Sequence, residues 1–136
     1  MTRRSRAREV ALQILFELDL NPQTAPSRSD AFLNSRLGSP ELAQFAESLV
    51  SGVQRNREEL DQMLAQTADN WSLERMAVTD RNVLRLGLYE MLYTDAPQRV
   101  AINEAVELAK RFGTAQSAQF VNGILDRFLA DRSRHE

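Results

Sequence analysis

The segment from Asp80 to Thr94 is apolar on nearly every side, and no other feature of the sequence constrains the fold as strongly. A helix with apolar residues around most of its circumference belongs in the centre of a fold, because it has no face to present to water. Gly87 lies in the middle of this segment, where it costs about 1 kcal/mol relative to alanine. We expect another helix to approach the backbone closely at this glycine.

The remaining segments have one apolar face each. Their apolar residues recur at intervals of three and four, the spacing of amphipathic helices, and no stretch shows the alternation of a half-buried strand. We therefore predict an all-α fold of about seven helices, with a waist near residues 66 to 72. Besides the central segment, the predicted helical stretches are residues 4–20, 30–37, a stretch from Pro40 to beyond Val53, one starting near Asn56, a short piece around 71–76, residues 100–112, and one starting near Ser117.

Residues that start or stop helices divide these segments. Gly38 and Gly113 are predicted to end the helices before them, since glycine readily adopts the conformation that follows a helix C-terminus. Ser39 with Pro40 predicts a cap and a first helical residue. Thr79 and Ser117 are predicted to cap the central helix and the last helix.

The sequence argues against most kinds of active site. It is 136 residues long, which suits one domain, and it has no cysteine and a single histidine, His135, beside the C-terminus. Thiolate chemistry, zinc–thiolate sites and a buried catalytic imidazole are therefore excluded. Glu104 and Glu107 share a helix face, but no Glu-x-x-His motif accompanies them, so solvated carboxylates are the better interpretation. We expect a binding protein without metal or cofactor.

The sequence also predicts a cytoplasmic location. No apolar run approaches the roughly 18 residues that a membrane-spanning helix needs. The basic N-terminus leads into a periodic, partly charged pattern rather than the apolar core of a secretory signal.

Four arginines lie within the first eight residues. The whole chain has 17 basic and 19 acidic residues and a net charge of −2, so a basic start precedes an acidic remainder. We call residues 3–8 the arginine-rich segment. On a helical wheel its cations point in all directions, which predicts that it buries no face. One interpretation is a frayed, solubilising terminus; the other is an RNA-binding element whose guanidinium groups contact phosphates and stack on bases. The arginines are Arg3, Arg4, Arg6 and Arg8.

The first predicted helix has a second apolar face. Leu12, Phe16 and Leu20 recur at intervals of four, opposite the main apolar arc around Val10 and Ile14. We call these three residues the outer stripe. It either packs beneath the connector of residues 21–37 or forms a surface for a partner.

Three stretches of the sequence together resemble one protein family. RRSRAREVALQILF near the N-terminus, WSLERMAVTDRNVLRLGLYEML in the centre and VAINEAVELAKRFGTAQSAQFVNGILDRFL near the C-terminus are similar to the NusB family of bacterial transcription antitermination factors. The resemblance spans nearly the whole chain and is weakest across residues 21–60. It implies two small helical bundles, about 1–68 and 69–136, and no catalysis. It also implies binding to boxA-type single-stranded RNA and a heterodimer with the ribosomal protein NusE in transcription elongation complexes.

The resemblance also assigns residues to these roles. The family's arginine-rich motif falls on the four arginines above, and its second RNA-binding segment falls on Gln119, Phe120 and Asn122. An exposed aromatic ring such as Phe120 can stack on a base. The sequence departs from common family residues at two positions: Gln116 replaces an acidic residue of some members, and Phe16 replaces a frequent tyrosine. The residues that the resemblance assigns to NusE binding are Phe16, Glu74 and Asp80.

Two alternatives stay open at this point. NusB-like domains also precede catalytic domains in certain rRNA cytosine methyltransferases, where they serve as RNA-binding accessories. That interpretation requires a truncated chain, since no cofactor-binding sequence follows before Glu136. A helical homodimer that buries the outer stripe against a second copy is the other alternative.

Overall fold

The computed structural model describes residues 3–24, 26–68 and 72–134, so Trp71 and His135 lie outside the described residues. Seven α-helices and one 3-10 turn account for the regular structure of the described ranges, which contain no strand. The all-α prediction is therefore confirmed. The helices are α1 (Arg3–Leu20), α2 (Pro26–Leu37), α3 (Pro40–Arg55), α4 (Arg57–Thr67), α5 (Val78–Tyr93), α6 (Gln98–Phe112) and α7 (Ser117–Arg134), with the 3-10 turn at Leu73–Arg75.

The helix boundaries in the first third of the chain follow its turn residues. Gly38 adopts a positive φ of 61° after α2, a backbone conformation that costs glycine little. The Ser39 hydroxyl then accepts a hydrogen bond from the backbone N–H of Leu42 at 3.4 Å, so Ser39 caps α3 as predicted. α2 differs from the prediction, because it begins at Pro26 rather than at Asp30.

Two predicted caps are wrong. α5 begins at Val78 after Ala77, so Thr79 lies inside its first turn. Ser117 is the first residue of α7 rather than its cap, and in the turn before it the Thr114 hydroxyl accepts a hydrogen bond from the N–H of Gln116 at 3.4 Å. The Ser117 hydroxyl accepts a hydrogen bond from the Thr114 N–H at 2.9 Å. These two hydrogen bonds hold the turn that leads into α7.

The chain divides into two compact units, Met1–Gln54 and Arg55–Glu136. The sequence placed the boundary near residue 68, which assigned α4 to the first bundle. Contacts assign α4 to the second unit, because it packs against α5 and α7. Leu60 and Leu64 are fully buried on α4. A single amphipathic face does not specify which neighbour covers it, so the sequence could not assign this helix.

The first unit is built from α1, α2 and the greater part of α3. α1 packs against α2, and Leu33 of α2 is buried. α3 buries the face that its spacing predicts, with Ala46, Leu49 and Val53 almost fully enclosed. The predicted apolar arc of α1 is buried at Val10, Ala11, Ile14 and Leu15, whereas Leu18, the fifth residue of that arc, is only half-buried.

The second unit surrounds α5, as its apolar circumference predicts. α5 packs against α4, α6 and α7, and its residues from Asn82 to Met91 are all buried. A Cβ atom built on Gly87 would lie 2.9 Å from the Ala105 Cβ of α6 and 2.9 Å from the Leu125 Cδ1 of α7. The close helix approach predicted at Gly87 is confirmed, and two helices make it rather than one.

Candidate nucleic-acid interface

The arginine-rich segment is the first turns of α1, and its arginines have different environments. Arg3 and Arg4 are exposed and Arg6 is partly buried, whereas Arg8 is only 5% exposed. The expectation that this segment buries no face is therefore wrong. Ala7 and Arg8 are both buried, so other side chains cover one side of the segment.

Phe45 of α3 supplies part of that cover. The Arg4 guanidinium carbon lies 4.5 Å from the centroid of the Phe45 ring, and that of Arg8 lies 5.4 Å from it. Both distances are within the range of cation–π attraction, in which the electron-rich ring face stabilises a cation. The half-buried Phe45 ring thus contacts two of the four arginines of the arginine-rich segment.

The other two arginines have polar partners. Arg6 donates a hydrogen bond to the Glu9 carboxylate at 3.1 Å; the Arg6 side chain is 44% exposed and the Glu9 side chain 4%. Arg3 donates to the Ser39 hydroxyl at 3.4 Å. Among the described residues, neither Arg3 nor Arg4 has a carboxylate within ion-pair distance. Within the arginine-rich segment, the exposed arginines without a carboxylate partner among the described residues are therefore Arg3 and Arg4, the first two residues of α1.

The second predicted RNA segment lies on α7 in the other unit. Gln119 is exposed, and Phe120 and Asn122 are half-buried. Val121, between them, is fully buried and holds this turn of the helix against the core of the second unit. The structure thus brings the three predicted residues together near the start of one helix, with the Phe120 ring only partly enclosed.

The outer stripe of α1 does not behave as one surface. Leu12 is 3% exposed and belongs to the core, whereas Phe16 is 36% exposed and Leu20 is 52% exposed. The stripe is therefore core at its N-terminal end and open surface at its C-terminal end. One interpretation of the sequence was that the outer stripe packs beneath the connector of residues 21–37. Phe16 is too exposed for that interpretation to hold at its position.

The acidic residues assigned to the partner lie in the second unit. Glu74 is exposed in the 3-10 turn and lines an open groove together with Arg57 and Arg81. Asp80 lies in the first turn of α5, where helix N-termini favour negative charge. Its Oδ1 atom is buried without a hydrogen-bond partner in the described part of the chain. The surface around Glu74 is therefore mixed in charge rather than uniformly acidic.

The pKa of the Tyr93 phenol is raised by its surroundings. Its hydroxyl donates a hydrogen bond to Glu59 of α4 at 3.0 Å, and its ring stacks on Tyr89 with a centroid distance of 5.4 Å. Desolvation, and then the neighbouring Glu59 carboxylate, raise the pKa of the Tyr93 phenol above its ordinary 10.0. The phenol therefore stays protonated at neutral pH and joins α4 to α5 rather than serving as a base.

The described residues contain no candidate metal site. They contain no group of three or more histidine, aspartate or glutamate side chains placed to hold a metal ion. Within the same ranges, no helix is long and apolar enough to cross a membrane.

Sequence reasoning missed the role of Phe45. Its helical spacing puts Phe45 on the apolar face of α3, and nothing in the local sequence indicates that two arginines about 40 positions earlier lie against the ring. It also missed Glu9, a buried carboxylate that compensates Arg6. A Glu three residues after an Arg is a common helical pair, but only tertiary packing shows that this one is buried.

Comparison with known proteins identifies the family. The family model described as NusB family matches residues 5–130. The transcription antitermination protein NusB of Myxococcus xanthus is 46% identical over 132 residues, which cover 93% of this chain and 94% of that protein. A solved structure of NusB from T. maritima matches with a TM-score of 0.83 and 36% identity, covering 96% of this chain and 92% of that one.

A more distant structure agrees in fold. NusB solved in complex with NusE and dsRNA matches with a TM-score of 0.85 over 96% of this chain and 98% of its own length. At 24% identity, that likeness concerns the fold alone. The family match and the M. xanthus relative each cover nearly the whole sequence, and the chain therefore belongs to the NusB family.

Proposed function

We propose that this protein is a transcription antitermination factor that binds boxA-type single-stranded RNA together with the ribosomal protein NusE. The observation that carries the proposal is the pair of exposed arginines at the start of α1, Arg3 and Arg4, in a chain whose relatives are named antitermination proteins. The protein acts by binding, without catalysis or cofactor, on nascent RNA in the elongation complex and hence in the cytoplasm.

The RNA contacts come from two helices. In the arginine-rich segment, the exposed Arg3 and Arg4 and the partly exposed Arg6 supply the positive charge that phosphates require, while the buried Arg8 supports the helix that carries them. Gln119 and Asn122 on α7 offer amide donors and acceptors for base edges. Phe120, half-buried on the same helix, offers a ring on which an unpaired base can stack. Charge and base contacts are thus divided between α1 and α7.

The NusE contacts centre on Phe16. An aromatic side chain that is 36% exposed on a well-anchored helix is the kind of residue that becomes an energetic anchor in an interface. Glu74 and Asp80 supply carboxylates that favour encounter with a basic ribosomal protein. A NusB of the same fold has been solved together with NusE and RNA, and we extend those partners to this chain. The exposed end of the outer stripe also suits a homodimer of the free protein.

A titration tests the proposal. Fluorescently labelled boxA-type RNA is titrated with the protein alone, with NusE alone and with both, and a scrambled RNA of equal length is the control. We expect the mixture to bind boxA-type RNA more tightly than either protein does alone, and more tightly than it binds the scrambled sequence. Equal affinity for the two RNAs would contradict the proposal. Mass measurements with and without NusE separate the heterodimer from a homodimer.

A further inference from the structure

The Phe45 ring and the first turns of α1 form a small, unusual arrangement. Arg4 and Arg8 are four residues apart on one helix face, and their guanidinium carbons lie 4.5 and 5.4 Å from the same ring centroid. Like charges at this spacing destabilise a helix slightly. The ring offsets that repulsion because its face attracts both cations. The first unit therefore holds two positive charges together on one half-buried aromatic side chain.

Burial distinguishes the two arginines. Arg8 is only 5% exposed, whereas Arg4 is exposed. Arg8 is consequently placed to support the helix rather than to reach an external ligand. Arg4 keeps its N–H donors, because a cation–π contact is made through the charge of the guanidinium and occupies none of its five donors.

We propose that Phe45 is a positioning residue of the RNA interface, whose ring holds the Arg4 guanidinium in place for an RNA phosphate. This inference rests on the proposed function. An arginine that is free in water loses much side-chain entropy when it binds a phosphate. An arginine already held by a ring has lost part of that freedom on folding, so it binds the phosphate at lower cost. Phe45 thereby raises RNA affinity without touching RNA.

The full chain provides a matched control. Arg36 lies over Phe32 on α2 with 5.1 Å between the guanidinium carbon and the ring centroid. This second pair has the same chemistry in the same unit but does not involve the arginine-rich segment. Phe45→Leu and Phe32→Leu therefore remove equivalent rings, and only the first removes the support of Arg4.

The test measures RNA affinity at several salt concentrations for the wild type, Arg4→Gln, Phe45→Leu, their double variant and Phe32→Leu. The probe is a labelled boxA-type single-stranded RNA. We expect Phe45→Leu to weaken binding by roughly two- to fivefold, the range of an exposed cation–π pair. Phe32→Leu should bind as the wild type does. Arg4→Gln should reduce the slope of log K against log salt by about 0.7.

The double variant separates positioning from general damage. In the Arg4→Gln background, Phe45→Leu should cause no further loss, because the group that it positions is gone. Phe45→Trp should retain wild-type affinity, since tryptophan offers the strongest face for a cation. An equal loss in both backgrounds would overturn the inference, as would wild-type binding by Phe45→Leu.

The same measurements distinguish a failure of the proposed function from a failure of the role of Phe45. If the wild type does not bind boxA-type RNA, both proposals are wrong. If Arg4→Gln weakens binding and Phe45→Leu does not, only the proposed role of Phe45 is wrong.

If circular dichroism shows that Phe45→Leu is unfolded, NMR of the wild type tests the inference instead. The Arg4 side-chain protons should be shifted upfield by the ring current of Phe45, and ordinary shifts would overturn the inference.

Discussion

Arg85 of α5 is buried against Asp61 of α4 and is bonded to it twice. Its Nε donates to Asp61 Oδ1 at 2.7 Å and its Nη2 donates to Oδ2 at 3.0 Å. The Arg85 side chain is 5% exposed and that of Asp61 is 27% exposed. This bidentate ion pair joins α4 to the central helix α5, which is one reason why α4 belongs to the second unit.

Asp61→Asn should destabilise the protein markedly, because it leaves the Arg85 charge buried without its carboxylate. We expect a loss of roughly 2–4 kcal/mol, somewhat below the range of about 3–5 kcal/mol for fully buried pairs, because Asp61 is partly solvated. Urea unfolding followed by circular dichroism measures it. The control is Asp126→Asn, which removes the exposed ion pair with Arg99 and should cost less than about 1 kcal/mol. Similar losses for both variants would contradict the structure.

Gly87→Ala should also destabilise, although alanine is the better helix former. The added methyl group would meet the Ala105 Cβ of α6 and the Leu125 side chain of α7, and overpacking of this kind costs about 1–3 kcal/mol. Gly123→Ala on α7 is the matched control, because nothing lies within 4 Å of a Cβ atom there. That variant should gain roughly 0.5–1 kcal/mol in unfolding free energy. A gain at both glycines would exclude the close packing at Gly87.

Phe16→Ala should weaken binding to NusE by more than about 1 kcal/mol while leaving thermal stability nearly unchanged, because the ring is substantially exposed. Leu12→Ala, on the same outer stripe, should lose roughly 2–5 kcal/mol of stability because Leu12 is buried. Calorimetric titration with NusE and thermal melting separate the two effects. A large drop in melting temperature for Phe16→Ala with unchanged NusE affinity would make Phe16 a core residue.

Glu74→Gln should slow association with NusE, mostly at low salt, since an exposed carboxylate at the rim acts on the encounter rate. Asp80→Asn should have a smaller effect, because one of its carboxylate oxygens is already buried. Stopped-flow association rates at increasing salt provide the measurement. At about 1 M salt, where the screening length falls to roughly 3 Å, the variants and the wild type should converge. A difference that persists there would point to a lost direct contact instead.

Phe120→Ala should weaken RNA binding without altering its salt dependence. Stacking of a base on an aromatic ring contributes about 1–3 kcal/mol and releases no counterions. The control is Tyr93→Ala, which removes an exposed ring from a different helix of the second unit, α5. Its RNA affinity should be that of the wild type. An unfolded Phe120→Ala variant, identified by circular dichroism, would show that the ring is core and would refute the stacking role.

The sequence determined the secondary structure of this protein to a large extent, because the signals are local. The turn at Gly38 and the cap at Ser39 follow from backbone preferences of single residues. The central position of α5 and the close approach at Gly87 also followed from the sequence, because a helix without a polar face must be surrounded by other helices. The resemblance across three segments indicated the family, which the comparisons confirm.

Only the tertiary structure decided what each face of those helices meets. Leu12 and Phe16 share one face of α1, yet Leu12 is core and Phe16 is surface. Arg4 and Arg8 lie against the same Phe45 ring of α3, yet Arg8 is buried and Arg4 is exposed. The physical reason is that burial and pairing depend on contacts between residues far apart in the chain. Helical spacing states which side chains share a face, but not whether another helix, a ring or water covers that face.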